Sequence, residues 1–176
     1  KTDIAYVFSE KLKNTDFTYD IAVDPSKTIS SDKWYQFLQS SRFTIGSEGG
    51  TSICDYDGQI ANRTESYLRK HPNASFEEVE QACFEKVDNA YAGYALSPRH
   101  LEACLTFTVQ FLTEGDYSGV LHPWKHYIPI KKDFSDVSEK LKLIEDIELM
   151  DKIAETAYQE VIESGRYLLS DYVNFL

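Results

Sequence analysis

Two periods of hydrophobic spacing alternate along the chain. Near the amino end, Ile4, Val7, Phe8 and Leu12 recur three to four positions apart, which predicts a short amphipathic helix over residues 3–13. Residues 19–23 (YDIAV) alternate instead and stop at Asp24-Pro25, a strand followed by a turn. Ser30, Ser31 and Asp32 then supply caps for a helix carrying Trp34, Phe37 and Leu38 on one face, and residues 42–45 form a compact strand. That strand runs into a glycine loop made of Gly46, Ser47, Glu48, Gly49, Gly50, Thr51 and Ser52. Residues 59–95 read as a helical insertion that covers the sheet or an edge. They hold a turn at His71-Pro72-Asn73, a capping-type helix start at Ser75 and an apolar face of Val79, Ala82, Cys83 and Val87.

The segment 97–134 has the clearest pattern. Ser97 is a good N-cap, Pro98 suits the first helical position, and Leu101, Cys104, Leu105 and Phe107 roughly follow helical spacing. A β-rich strand at 109–113, a glycine loop at 114–119 and a second strand at 126–130 come next. Residues 136–149 and 151–165 predict two helices with a break near Ile147. The second has a stripe of Ile153, Ala154, Ala157, Val161 and Ile162 and a C-cap at Ser164-Gly165. Helices flanked by strands joined through glycine loops are the grammar of a parallel α/β sheet, so the expected fold is a single Rossmann-like domain over 1–176 with a helical tail from 136.

Composition narrows the function classes. A chain of 176 residues, 42% hydrophobic and 14% aromatic, is long and apolar enough to bury a core. Its net charge of −11 argues against a nucleic-acid groove or an anionic membrane surface as the main partner. Cys54, Cys83 and Cys104 are odd in number and form no C-x-x-C pair, as expected of reduced thiols in a cytoplasmic protein with unused sequons at Asn62 and Asn73. No apolar run of transmembrane length and no signal peptide is present, and the start at Lys1 suggests a piece of a longer protein.

Two stretches carry candidate chemistry. Behind the Ser97 cap, free backbone N–H groups favour an anion, and Arg99 and His100 in the first turn oppose the helix dipole unless a phosphate or carboxylate offsets them. The loop at 46–52 permits close backbone approach to a phosphate or sugar. Asp55-Tyr56-Asp57-Gly58 has the oxygen ligands of a divalent-cation site, but it is also a common turn, and no metal is expected.

Together, residues 97–103 (SPRHLEA), the strand and glycine loop after them, residues 126–130 (HYIPI), Asp133-Phe134-Ser135 and the helical tail resemble the C-terminal half of GT-B glycosyltransferases of the bacterial group 1 type. A looser likeness is to the CAP10-like and lipopolysaccharide-modifying O-glycosyltransferases. The resemblance runs from Trp34 to the C-terminus and includes the E-x-G-x-S run at 48–52 followed by D-x-D-G at 55–58. It implies a domain that binds a nucleoside-diphosphate sugar and passes the sugar to an acceptor the sequence does not identify, in polysaccharide or lipopolysaccharide synthesis. Glu102 matches the glutamate that holds the ribose hydroxyls. Tyr94 stands where many of these enzymes carry a second glutamate, and Glu48 is the candidate substitute.

The resemblance also implies a retaining reaction with no metal or cofactor, driven by positioning and by stabilisation of the leaving diphosphate. It implies an N-terminal GT-B domain as partner, contacted by residues 167–176, and peripheral attachment to the inner membrane face through the rest of the protein. The isolated chain is then expected to bind nucleotide weakly and to transfer nothing. A nucleotide sugar is anionic, and Arg99, His100, Lys125, His126, Lys131 and Lys132 offer a local positive pocket. The donor-binding set is thus Glu102, with Arg99 and Lys125 for the diphosphate, Ser97, His100 and His126 beside them, and the loop from Gly46 to Ser52 for the sugar or phosphate. No catalytic residue is assigned. The rival reading is a non-catalytic nucleotide-binding, sugar-binding or protein-interaction module. A zinc site on His100, Glu102, His122 and His126 has poor spacing, and Gly46-Ser47-Glu48-Gly49-Gly50 is no hydrolase elbow.

Overall fold

The computed structural model describes residues 2–85, 87–88 and 90–167. Contacts divide it into two compact units, one made of Lys1–Glu48 with Leu96–Leu176 and the other of Gly49–Ala95. The first unit is mixed α/β, a three-stranded parallel sheet flanked by helices.

Its central strand is the most apolar run of the chain. β4 (Val109–Thr113) is buried through its first four residues, as a strand covered on both faces must be. β1 (Phe43–Gly46) and β5 (Ile128–Ile130) lie parallel on either side of it, with Ile45 opposite Phe111 and Phe111 opposite Ile128. Val109, Phe111, Ile128 and Ile130 point to one face, where they meet Ile4, Phe8 and Leu12 of α1 (Thr2–Leu12). Phe8 and Phe43 both stand edge-on to the Phe111 ring, with centroids 6.1 and 5.1 Å away. Each side chain of this kind contributes about 1.5–3 kcal/mol when fully buried. Leu112 points to the other face, in a cluster with Cys104, Tyr117, Leu121, Tyr127, Ala157 and Val161.

α2 (Ser31–Gln39) leads into β1 and buries Leu38, and α5 (Pro98–Leu105) leads into β4. Ser97 and Pro98 start α5 as expected, but its buried stripe is His100, Ala103 and Cys104, while Leu105 and Phe107 are 47% and 49% exposed. The helix ends before Phe107, whose positive φ of 55° carries its ring out to stack on Tyr158 at 4.3 Å.

Three other expectations change. Residues 19–23 form no strand; Ile21 alone packs on the core while Tyr19 and Val23 stay exposed, so the alternation does not mark a buried side. Residues 136–149 do not form one helix. They make a single turn, α6 (Val137–Lys140), then a tighter turn at Leu141–Glu145, and Asp146 breaks the run by accepting from Leu149 N–H at 3.0 Å. α7 (Ile147–Ala157) starts there and continues as a wide helical turn, Tyr158–Glu163, closed by Gly165 at φ 72°. The loop at 46–52 is not one open loop either, because Gly49–Thr51 forms β2, paired antiparallel with β3 (Gly93–Ala95). Residues 168–176, most of the expected interdomain contact, lie outside the described residues.

The second unit holds β2, β3, α3 (Gln59–Lys70) and α4 (Phe76–Cys83). Ser75 and Glu78 complete a reciprocal capping box on α4, and the Arg63 guanidinium of α3 donates to the Cys83 carbonyl. Cys83 is buried, Val79 half-buried and Ala82 exposed. Among the described residues, no helix is long and apolar enough to cross a membrane.

Candidate functional site

Ligands of open parallel sheets bind beyond the carboxyl ends of the strands. In the first unit that edge is built from the exit of β1, the amino end of α5 and the exit of β4. Gly46 ends β1 where a Cβ would come within 3.2 Å of Leu112 and 3.5 Å of His100. The absent side chain lets His100 lie against the strand, with Nε2 3.2 Å from the Ser47 carbonyl and Nδ1 3.0 Å from Gln110 Oε1. His100 is 5% exposed, and both ring nitrogens face partners inside the fold, so it anchors α5 to β1 rather than opening toward a ligand. Ser97 caps α5 with its backbone alone, its hydroxyl making no capping bond.

Glu48 folds over the β4 exit. Its Oε1 accepts from Tyr117 N–H at 2.7 Å, and Tyr117 OH donates to the Thr113 carbonyl at 2.6 Å. Burial pushes the Tyr117 phenol well above the usual tyrosine range and Tyr127 up to about 12. Glu48 is therefore a brace for the turn in this structure. Tyr94, at the other glutamate position of the resembling family, lies on β3 in the second unit and is half exposed to solvent.

Glu102 sits half-buried on α5. Its Oε2 accepts from Trp34 Nε1–H at 2.7 Å, and the Arg99 guanidinium lies over the same indole, 5.3 Å from the ring centroid. Lys125 has a different partner. Its Nζ is 2.7 Å from Glu160 Oε2, the oxygen that also takes His126 Nε2 at 3.2 Å, while His126 Nδ1 accepts from His122 N–H. Burial lowers the His126 pKa, with the Glu160 hydrogen bond opposing it, and Lys125 followed by His126 lowers that of Glu160. The expected diphosphate pair thus divides, Arg99 to Trp34 and Lys125 to Glu160.

Gly49, Gly50, Thr51 and Ser52 belong to the second unit. Gly50 has φ 97°, and a Cβ there would come within 1.8 Å of the Gly93 carbonyl, so this glycine serves strand pairing. Thr51 bonds to Ile53, and Ser52 donates to Asp88 at 2.7 Å. Asp55 accepts from the Ile60 and Ala61 N–H groups at 3.0 and 2.9 Å and Asp57 from Gln59 N–H, so both aspartates cap α3. Among the described residues, no group of three or more His, Cys, Asp or Glu is arranged for a metal. The cysteines are free, and burial pushes the Cys104 thiol up to about 12.

A cavity of about 390 Å³ opens at the amino edge of the sheet, lined by Ser41, Arg42, Phe107, Val109 and Asp151, with no donor-binding candidate in its lining. A second, of about 500 Å³, lies in the other unit around Asp55, Tyr56 and Arg63. Volume alone does not select either.

Sequence reasoning missed Trp34, Gln110 and Glu160. Gln110 carried a signal: it is the lone amide in a buried strand and must find partners, here His100 and Cys104. Trp34 gave only the general one that an indole N–H near the core needs an acceptor. No protein-family model matches the chain, and no curated protein matches it.

Proposed function

We propose that this chain is the Rossmann-like, donor-binding half of a GT-B glycosyltransferase, which binds a nucleoside-diphosphate sugar and transfers the sugar to an acceptor hydroxyl. In that reaction the bond from the anomeric carbon to the diphosphate breaks, the acceptor oxygen forms the new bond, and the nucleoside diphosphate leaves with the electron pair and takes up the proton released by the acceptor hydroxyl. Acceptor and second domain are proposed to come from outside these residues, and no metal or cofactor is invoked. One observation carries the reading. On the helix that feeds the central parallel strand, Arg99 and Glu102 stand three positions apart, and neither carries the other as its partner. A carboxylate accepts from both hydroxyls of a ribose, and a guanidinium suits phosphate oxygens.

Calorimetric titration with a panel of nucleoside diphosphates tests this. At least one should bind weakly, Arg99→Ala should weaken it, and Glu102→Gln should cost about 1–3 kcal/mol of affinity, the range for a hydrogen bond to a charged group. The 176 residues alone should show no transfer. Absence of binding across the panel, or a Glu102→Gln chain with a lowered unliganded melting point and unchanged affinity, refutes the assignment. Binding with no transfer even after a partner domain is supplied identifies a non-catalytic module instead.

A further inference from the structure

Arginine and glutamate three apart on one helix face are neighbours, with Cβ atoms about 5–6 Å apart, and commonly pair. Arg99 and Glu102 have that spacing, yet no ion pair joins them among the described residues. Both charged heads instead meet Trp34 of α2. The edge of its indole takes the carboxylate through the 2.7 Å Nε1–H bond to Glu102 Oε2, and its face takes the guanidinium. Phe37, one turn along α2, stacks on the indole with centroids 5.7 Å apart and planes 25° from parallel, which holds the ring in place.

Stacking on a face occupies none of the guanidinium's N–H donors, and the indole bond occupies only one carboxylate oxygen. Resting on the donor-site reading above, we propose that Trp34 is a positioning residue of a ribonucleoside-diphosphate subsite. It keeps Arg99 and Glu102 from neutralising each other, so that Glu102 presents Oε1 to the vicinal hydroxyls of the ribose and Arg99 presents its donors to the diphosphate. Loss of the indole N–H alone frees the Glu102 carboxylate to swing onto Arg99, while a phenyl ring in its place still supports the guanidinium.

The test compares wild type with Trp34→Phe by titration with UDP, ADP and GDP and their 2′-deoxy counterparts. Wild type should prefer the ribonucleotide of whichever base binds. Trp34→Phe should weaken that ribonucleotide about tenfold, the loss of one hydrogen bond to a charged group, and should erase the preference over the deoxy form. In a Glu102→Gln background the same substitution should change affinity by less than about twofold, because both act through one carboxylate. A Trp34→Phe chain that keeps its affinity and its ribose preference overturns the inference and leaves the donor-site reading standing, whereas a wild type that binds without that preference overturns the inference together with the ribose role of Glu102. No binding of any nucleotide by wild type removes both.

Should Trp34→Phe not fold, emission from Trp34 in a Trp124→Phe chain is the readout, since the chain holds only 2 tryptophans. Saturating ribonucleotide should shift that emission and the deoxy form should shift it less. Identical responses to the two overturn the inference.

Discussion

The brace at the exit of β4 yields a quantitative test. Tyr117 and Ser118 have φ of 49° and 55°, a left-handed pair that non-glycine residues adopt at a cost of about 1–3 kcal/mol each, so the turn must be held by its surroundings. Tyr117 N–H to Glu48 Oε1 and Tyr117 OH to the Thr113 carbonyl help to hold it, beside the Leu96 N–H bond to Ser118 Oγ and the backbone bonds of the turn itself. Gly115 leaves room for the first. A Cβ on Gly115 would come within 2.4 Å of Glu48 Oε2, 2.6 Å of its Cδ and 2.9 Å of its Cγ, whereas the Gly115 backbone itself is open to any residue.

Gly115→Ala must therefore push the Glu48 carboxylate aside and break its bond to Tyr117. Glu48 is only half-buried, so the loss is expected near the lower part of the range for charged hydrogen bonds, about 1–2 kcal/mol. In a Glu48→Ala chain the obstacle is gone, and Gly115→Ala should be neutral or stabilising by up to about 1 kcal/mol through the unfolded state. Urea unfolding of wild type, both single variants and the double variant gives the coupling directly. Additivity within about 0.5 kcal/mol refutes the reasoning, because it shows that Gly115→Ala acts independently of Glu48.

Two further outcomes are expected. Burial holds the His126 pKa below its ordinary 6.5, so the unfolded chain binds more protons between the two values; the stabilisation is fully present above about pH 6.5 and is lost as pH falls through that value toward the folded one. His126→Gln should flatten the melting-temperature profile between about pH 7.5 and pH 5, and an unchanged slope would assign it to other groups. Asp55→Ala should cost about 1 kcal/mol by uncapping α3, in chelator as in buffer. A loss that depends on added divalent cation would make Asp55 a ligand instead.

What the sequence made legible follows from how locally each feature is determined. Ser97-Pro98 and the run at 109–113 decide their own structure, so α5 and β4 stand where the pattern put them. The alternation at 19–23 decides neither burial nor pairing, since Ile21 alone turns inward; strand pairing needs a neighbour with a free edge, and that is a property of the whole sheet. Val137, Leu141 and Ile144 are spaced for a helix and are buried within consecutive helical turns; Asp146, whose side chain accepts from Leu149 N–H, ends that run and caps α7. Helical spacing groups Leu105 and Phe107 with Leu101 and Cys104, but the buried face of α5 is His100, Ala103 and Cys104, and Leu105 and Phe107 stay exposed.

For the site, the limit is electrostatic. A count of cations over 99–132 suggests a broad positive pocket, but the charge a ligand feels depends on partners distant in sequence. Glu160 lies 34 positions beyond His126 and takes both Lys125 and His126 on one oxygen. Ser47 lies 53 positions before His100 and, with Gln110, engages its ring. Lys131 and Lys132 are exposed beyond β5, where solvent screens them beyond about 8–10 Å. The pole facing Glu102 therefore reduces to the Arg99 guanidinium, held on an indole from a helix whose link to α5 no spacing reveals. One half-solvated cation on a chain of net charge −11 is a weak grip for a diphosphate. The proposed affinity must then come mainly from the sugar end, through Glu102 as Trp34 holds it. It is there that replacing one indole N–H should be felt most.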